Sequence, residues 1–244
     1  MSVSFLLNGA RGRMGEAIVQ AATETGDQLV AAIDLGDDFS DSLNQAEVVI
    51  DFSFHTATIP LLRAAVEARK PFVIGTTGHT PEEKAVIREL AAKVPTVWAG
   101  NYSVGVNLLL YLTEKAAAIL SEQYHPEVVE MHHSHKKDAP SGTAENLVEA
   151  ILKGRNWDPD TVRHGRSGLT GERPDRQIGV HALRGGEVVG DHTVLFAGPA
   201  ERLELTHKAS NRSIFAHGAL RAARWVCGQT AGIYSMRDVL GLND

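Results

Sequence analysis

Apolar residues fall in short runs, separated by amphipathic stretches, through the first hundred positions. Val3–Leu7 carries aromatic and β-branched members, stops at Asn8-Gly9, and predicts a buried strand. Met14, Ile18, Val19 and Ala22 then recur at helical spacing, so a helix follows the glycines. Leu29–Ile33 predicts a second strand ending at Asp34, and Val48–Ile50 a third ending at Asp51. From about Ala57 to Arg69 the period is helical, through Leu61, Leu62, Ala65 and Val66. Phe72–Ile74 predicts a fourth strand, closed by Gly75-Thr76-Thr77-Gly78. Thr80-Pro81-Glu82-Glu83 reads as a helix start, with Thr80 as N-cap and Glu83 three residues on. Thr96–Ala99 predicts a fifth strand. Short strands that are apolar on both faces, with helices between them, imply an α/β fold built on a doubly wound parallel sheet.

The pattern changes after Asn101. A long helix is expected from about Val104 to Gln123, then a strand at Glu127–Met131 running into the polar segment His132–Asp138. A helix follows from near Ser141 to near Gly154. Residues 156–177 are rich in Gly, Pro, Arg and Asp and read as one long loop. Beyond it Ile178–Leu183, Val188–Phe196 and Arg202–Lys208 alternate as antiparallel strands do, with Gly185-Gly186 as a turn, and Ile214–Val226 is a final amphipathic helix. The expected organisation is a first domain of residues 1–103 plus 213–244, with the last helix returning to it. A second, α+β domain with a mixed or antiparallel sheet is expected at 104–212.

The chain has 244 residues, long enough for a core without covalent staples. Lys plus Arg is 24 against 30 Asp plus Glu, a net charge of −6 that argues against bulk affinity for nucleic acid or anionic membranes. Cys227 is alone, so no intramolecular disulfide is expected; Val3–Leu7 has no basic region before it and is too short to be expected as a signal peptide, and no run of about 20 apolar residues predicts a membrane span. The expectation is a cytoplasmic protein.

The turn Gly9-Ala10-Arg11-Gly12-Arg13-Met14-Gly15 follows a strand and opens a helix, the context of a dinucleotide fingerprint. Gly9 permits the tight turn, Gly12 lets a pyrophosphate approach backbone amides, and Gly15 allows close helix–strand packing. Asp34 stands at the end of the second strand, where an acid binds the adenosine ribose. A carboxylate there opposes a 2′-phosphate, while Arg11 and Arg13 beside it favour one, so either NADH or NADPH is expected. Gly75, Thr76 and Thr77, and Ala99, Gly100, Asn101 and Tyr102, end strands four and five at the edge where such sheets bind ligands. Ordinary turn chemistry is the competing explanation of those two segments.

The densest chemistry lies in Glu130-Met131-His132-His133-Ser134-His135-Lys136-Lys137-Asp138-Ala139-Pro140-Ser141-Gly142-Thr143-Ala144. Three histidines and two lysines leave a strand together, and Ser141-Gly142-Thr143 opens a helix whose amides bind a carboxylate. Basic side chains beside a helix N-terminus suit a dianionic small molecule. The histidines lack cysteine partners and match no standard zinc spacing, so no metal is expected. Lys136 and Lys137 lie on a segment read as extended, where adjacent side chains point opposite ways. A dehydrogenase acting on an amino acid or semialdehyde is one alternative. A non-catalytic nucleotide sensor is another, but it would have no use for clustered His132, Lys136 and Gly142.

Across essentially its whole length the chain resembles the dihydrodipicolinate reductase family of lysine biosynthesis. The resemblance is carried by GARGRMG (9–15), DFS (51–53), GTTG (75–78) and GNYSVGVN (100–107). EMHHSHKKDAPSGTA (130–144) is the most specific segment, and VHALRGG (180–186) and GDHTVLF (190–196) agree with it. The resemblance implies a Rossmann-like first domain and reduction of a cyclic imine-type dicarboxylate to tetrahydrodipicolinate by NADH or NADPH. It implies His132 as proton donor, Lys136 as the lysine acid, and His133, Gly142 and Thr143 as carboxylate ligands. It also implies dinucleotide binding by Gly9, Ala10, Arg11, Gly12, Arg13, Met14, Asp34, Gly75, Thr76, Thr77, Ala99, Gly100, Asn101 and Tyr102, and a homotetramer assembled through the second domain's sheet. Some family members carry Glu then Arg where this chain has Asp34-Leu35, which leaves the cofactor preference open. Phe54-His55 also departs from the usual pattern.

Overall fold

A computed structural model describes residues 2–242. Contacts divide the chain into two units: one runs through residue 104 and resumes at Arg212, and the other is Gly105–Asn211. The first opens with β1 (Ser4–Asn8), α1 (Arg13–Thr25), β2 (Gln28–Ile33), α2 (Ser40–Gln45), β3 (Val48–Asp51), α3 (His55–Glu67), β4 (Phe72–Ile74), α4 (Pro81–Ala91) and β5 (Pro95–Trp98). Then come α5 (Val104–Ile119), β6 (His125–His132), α6 (Gly142–Arg155), β7 (Val162–His164), β8 (Ile178–Arg184), β9 (Gly190–Ala197) and β10 (Arg202–Ala209). The chain ends with α7 (Ser213–Val226), β11 (Gly232–Tyr234) and α8 (Met236–Leu240).

In the first unit six strands run parallel in the order β11-β5-β4-β3-β1-β2. The apolar runs of β1, β3 and β4 are buried on both faces, while the edge strands β2 and β11 are partly exposed. One apolar cluster joins Phe5, Leu7 and Ile50 to Ile18 of α1 and Ala219, Leu220 and Ala223 of α7. A second, on the other face, joins Leu6, Val49 and Ile74 to Leu61 and Leu62 of α3 and Ile87 of α4. The Thr80 capping box is present: Thr80 accepts from Glu83 N–H, and Glu83 reaches back to Thr80 N–H at 2.8 Å. Because a parallel sheet gathers its loops at the carboxyl ends of the strands, Gly9–Gly15, Asp34, Gly75–Thr77 and Ala99–Tyr102 lie along one edge.

The second unit holds a five-stranded mixed sheet, β10-β9-β6-β8-β7. Only β9 and β10 form a hairpin; β8 runs parallel to β6, which lies between it and β9. The expected antiparallel pairing of Ile178–Leu183 with the next strand is therefore corrected. Alternation reveals which face of a strand is buried but not its neighbour. The Gly185–Val188 loop instead crosses the end of β6, through Gly185 N–H to His132 O at 3.0 Å and His133 N–H to Val188 O at 2.8 Å. Residues 156–177 are not one loop, because they contain a 3₁₀ turn at Pro159–Thr161 and the edge strand β7. Glu127 pins the rest of that segment through Arg166 Nη2 at 2.9 Å and Arg173 Nε at 3.0 Å, and also meets His181 at 2.8 Å. Burial opposes ionisation of Glu127, but the hydrogen bonds from Arg166, His181 and Arg173 and the charge of Arg166 outweigh it and pull its pKa down to about 2. The long helix stops at Ile119 rather than near Gln123, and α2, β11 and α8 are additions to the expected elements.

Candidate active site

Gly9 takes a left-handed backbone (φ 84°), and a β-carbon on Gly15 would stand 2.3 Å from Gly9 O, so the turn and the first coil of α1 can pack only with glycine at both positions. Gly12 is the N-cap and supplies no capping side chain to the first-turn amides of α1. This exposed, glycine-built helix start suits a pyrophosphate. Asp34 Oδ2 accepts the Arg11 backbone N–H at 3.1 Å and lies 3.6 Å from Arg11 Nε. A cavity of about 200 Å³ opens beside it, lined by Ile33, Leu35, Phe39, Pro60 and Leu61 together with Asp34 and Asp37. Apolar walls next to an acid suit a flat base attached to a ribose. Those apolar positions come from three separate elements or their loops, so no local sequence signal marks them as a site.

Behind that edge Asp51 is fully buried. Its carboxylate accepts from Asn8 Nδ2 at 2.9 Å, from Thr58 Oγ1 at 2.6 Å and from the Ser53 hydroxyl, and its carbonyl accepts from Gly75 N–H at 2.8 Å and Thr76 N–H at 3.1 Å. Thr76 Oγ1 in turn accepts from Ser53 N–H at 2.9 Å. Burial pushes the Asp51 carboxyl above its ordinary range against these bonds. The network fixes the Gly75–Thr76 loop, which explains the DFS segment without placing it in contact with a ligand. Thr77 and Gly100 are exposed, while Thr76 is buried. Asn101 Oδ1 caps Ser103 N–H at 2.9 Å. The Tyr102 side chain is buried in the core, with its hydroxyl 2.8 Å from Ile74 O.

In the second unit the organising group is a carboxylate that sequence reasoning left without a role. Glu130 and His132 are two residues apart on β6 and so share its buried face. Glu130 is inaccessible to solvent. One oxygen meets His132 Nδ1 at 2.6 Å and Arg184 Nη1 at 2.9 Å; the other accepts from Arg184 Nη2 at 2.9 Å and Ser141 N–H at 3.1 Å. Burial would raise the Glu130 carboxyl, but Arg184 and His132 outweigh it and hold it below the ordinary range. An ionised carboxylate only accepts, so His132 Nδ1 carries a proton and Nε2 is the nitrogen left for chemistry. A β-carbon on Gly190 would stand 3.0 Å from that Nε2, so glycine keeps the space beside it open.

Arg184 also donates to Asp138 O at 2.6 Å, and Asp138 holds Lys136 Nζ at 2.7 and 2.8 Å. Residues 133–136 form a turn, closed by Lys136 N–H to His133 O at 3.2 Å, so the segment leaving β6 is not extended throughout. What separates the lysines is burial: Lys136 is partly buried and paired, while Lys137 is exposed. Ser141 caps α6 by accepting from Ala144 N–H at 3.3 Å, so Gly142 and Thr143 occupy its first turn. His192 stacks edge-on to His132 at 5.1 Å and lies 3.1 Å from Ser141 Oγ. Burial, and then the neighbouring His132, push its pKa down to about 4, so it is neutral at neutral pH. His133 follows the strand on the same turn, 6.2 Å from the His135 ring. Glu130 thus gathers His132, Arg184 and the start of α6 and, through Arg184 and Asp138, Lys136. No group of three or more potential metal ligands occurs among the described residues.

Family models for the N-terminus and C-terminus of dihydrodipicolinate reductase match residues 3–102 and 105–240. The 4-hydroxy-tetrahydrodipicolinate reductase of Akkermansia muciniphila is 55% identical over 245 residues, covering 99% of both chains. That of Thiobacillus denitrificans is 46% identical over 99% of this chain and 100% of its own. The solved dipicolinate-bound dihydrodipicolinate reductase from Paenisporosarcina sp. TG-14 superposes with a TM-score of 0.77 at 25% identity, over 96% of this chain and 98% of its own. An amine dehydrogenase from Mycobacterium smegmatis, at 13% identity and a TM-score of 0.58, shares the fold.

Proposed function

The chain belongs to the dihydrodipicolinate reductase family, and on that premise we infer that it reduces 4-hydroxy-tetrahydrodipicolinate to tetrahydrodipicolinate with a pyridine nucleotide, in the diaminopimelate route to lysine. The observation that carries this reading to particular residues is the buried Glu130, which ties a histidine, a lysine-bearing turn and a helix N-terminus into one basic site. The Paenisporosarcina protein is dipicolinate-bound, and dipicolinate is a planar dicarboxylate of the kind this site suits.

When bound, a reduced nicotinamide supplies hydride to an electron-poor ring carbon of the substrate. The first unit's Gly9–Met14 turn holds the pyrophosphate and Asp34 the adenosine ribose, with Gly75–Thr77 and Ala99–Tyr102 lining the path toward the nicotinamide. In the second unit the Gly142 and Thr143 amides and His133 take the substrate carboxylates. The 4-hydroxyl first leaves as water with a hydrogen from the adjacent ring carbon, which gives the conjugated imine that accepts the hydride; hydride addition leaves an enamine, and its neighbouring carbon then needs a proton. His132 Nε2 and Lys136 Nζ are the donors, and their positive charge also stabilises the electron-rich transition state. Either NADH or NADPH serves. The protein works in the cytoplasm as a homotetramer, for which the exposed Leu183 and Leu203 on the second sheet provide apolar contact surface.

Asp34→Ala tests the cofactor half. It removes the ribose acceptor and relieves repulsion of a 2′-phosphate, so the Michaelis constant for NADH rises more than that for NADPH. Steady-state kinetics with both cofactors check this; unchanged constants for both would place Asp34 away from the ribose.

A further inference from the structure

We propose that Asp37 is a specificity-determining residue that biases the dinucleotide site toward NADH by engaging Arg11. The proposal rests on the reading of Gly9–Gly15 and Asp34 as the adenosine end of that site. Asp37 is built into the turn after β2: its Oδ2 accepts Asp34 N–H at 3.0 Å, and its own N–H donates to Asp34 O at 3.0 Å. The same Oδ2 lies 3.4 Å from Arg11 Nη2, while Asp34 Oδ2 lies 3.6 Å from Arg11 Nε. One guanidinium is therefore shared by two carboxylates, and both acids line the cavity beside the glycine turn.

The two cofactors differ at that spot by one group. A ribose diol offers hydroxyl donors, and carboxylates accept them. A 2′-phosphate offers acceptors and a charge of roughly −1.5 to −2. It competes with Asp37 for the Arg11 guanidinium, and Asp37 remains a negative charge beside it. Leu35 supplies no compensating cation. Asp38 adds negative charge nearby and is bonded to Ser40 Oγ at 2.8 Å. Arg13, exposed on the same turn, remains a cation for the phosphate and sets a residual affinity for NADPH. These groups are largely exposed, so solvent and salt screen them and the bias is moderate.

The test is equilibrium binding to the full-length protein without substrate. Calorimetry would compare NADH with NADPH, and 5′-AMP with adenosine 2′,5′-bisphosphate, for wild type and Asp37→Asn. Asparagine keeps an oxygen for Asp34 N–H and removes the charge. The expected result is that the wild-type chain prefers NADH. The variant should lower the NADH-to-NADPH affinity ratio about five- to tenfold, through tighter NADPH binding. The 5′-AMP pair should move in parallel, and the change should shrink at high salt. A ratio within about twofold of wild type, or equal loss of both dinucleotides, would overturn the proposal and leave Asp37 as a turn residue. Binding of neither dinucleotide by the wild-type chain would overturn the site itself.

Discussion

Lys136→Ala lowers the turnover number by about 10²–10⁴-fold, the range for loss of a general acid, while Lys137→Ala costs far less. Lys136 is held: Asp138 grips its ammonium at 2.7 and 2.8 Å, and Arg184 in turn grips the Asp138 carbonyl at 2.6 Å. Its stem is partly buried, so the charge is presented from a defined place, whereas Lys137 is exposed. The substrate Michaelis constant rises as well, because the ammonium also attracts a carboxylate. The NADH dissociation constant hardly moves, since the proposed cofactor residues belong to the other unit. Turnover and NADH affinity measured for both alanine variants decide the matter. Equal losses, or near-normal turnover for Lys136→Ala, would remove Lys136 from the role.

Glu130→Gln carries the second large effect, on stability and turnover together. The two oxygens of Glu130 accept four bonds, from His132, from Arg184 twice and from Ser141 N–H. A glutamine offers one acceptor oxygen and turns a donor toward one of those donors. Arg184 then loses its bidentate partner. Breaking such a pair costs about 3–5 kcal/mol, and His132 loses the contact that sets its tautomer. Denaturant unfolding should show a loss of that order. Turnover, measured where the variant remains folded, should fall about a hundredfold or more, near the range for losing a general acid. A stability loss below about 1 kcal/mol with normal turnover would mean that Glu130 organises nothing.

Local patterning carried most of the first unit. Strands at Val3–Leu7, Val48–Ile50 and Phe72–Ile74 were legible because a buried parallel strand is a short apolar run, and the Thr80 helix start because its cap is written in four consecutive residues. The pairing of β8 with β6 was not legible, because alternation is the same whichever strand lies alongside. β7 and β11 are three residues long like β4, but they lack its continuous apolar run and so left no signal. In the site, His132, Lys136 and Gly142 stood out by type and spacing. Glu130 left a usable signal, an acid two residues before a histidine on one strand, but its partner Arg184 lies 54 positions away. The burial of the Tyr102 ring was not legible, because a position at a strand end says nothing about which way the ring turns, and the ring turns into the core.

The proposed reaction delivers reducing equivalents from a pyridine nucleotide to 4-hydroxy-tetrahydrodipicolinate. The direct measurement is loss of reduced-nicotinamide absorbance by the purified protein, with substrate made in situ by the preceding synthase and with NADH and NADPH assayed separately. The predicted result is oxidation that requires the substrate, proceeds with either cofactor, and yields tetrahydrodipicolinate in equal amount. Oxidation that is indifferent to the substrate, or none with either cofactor, would contradict it.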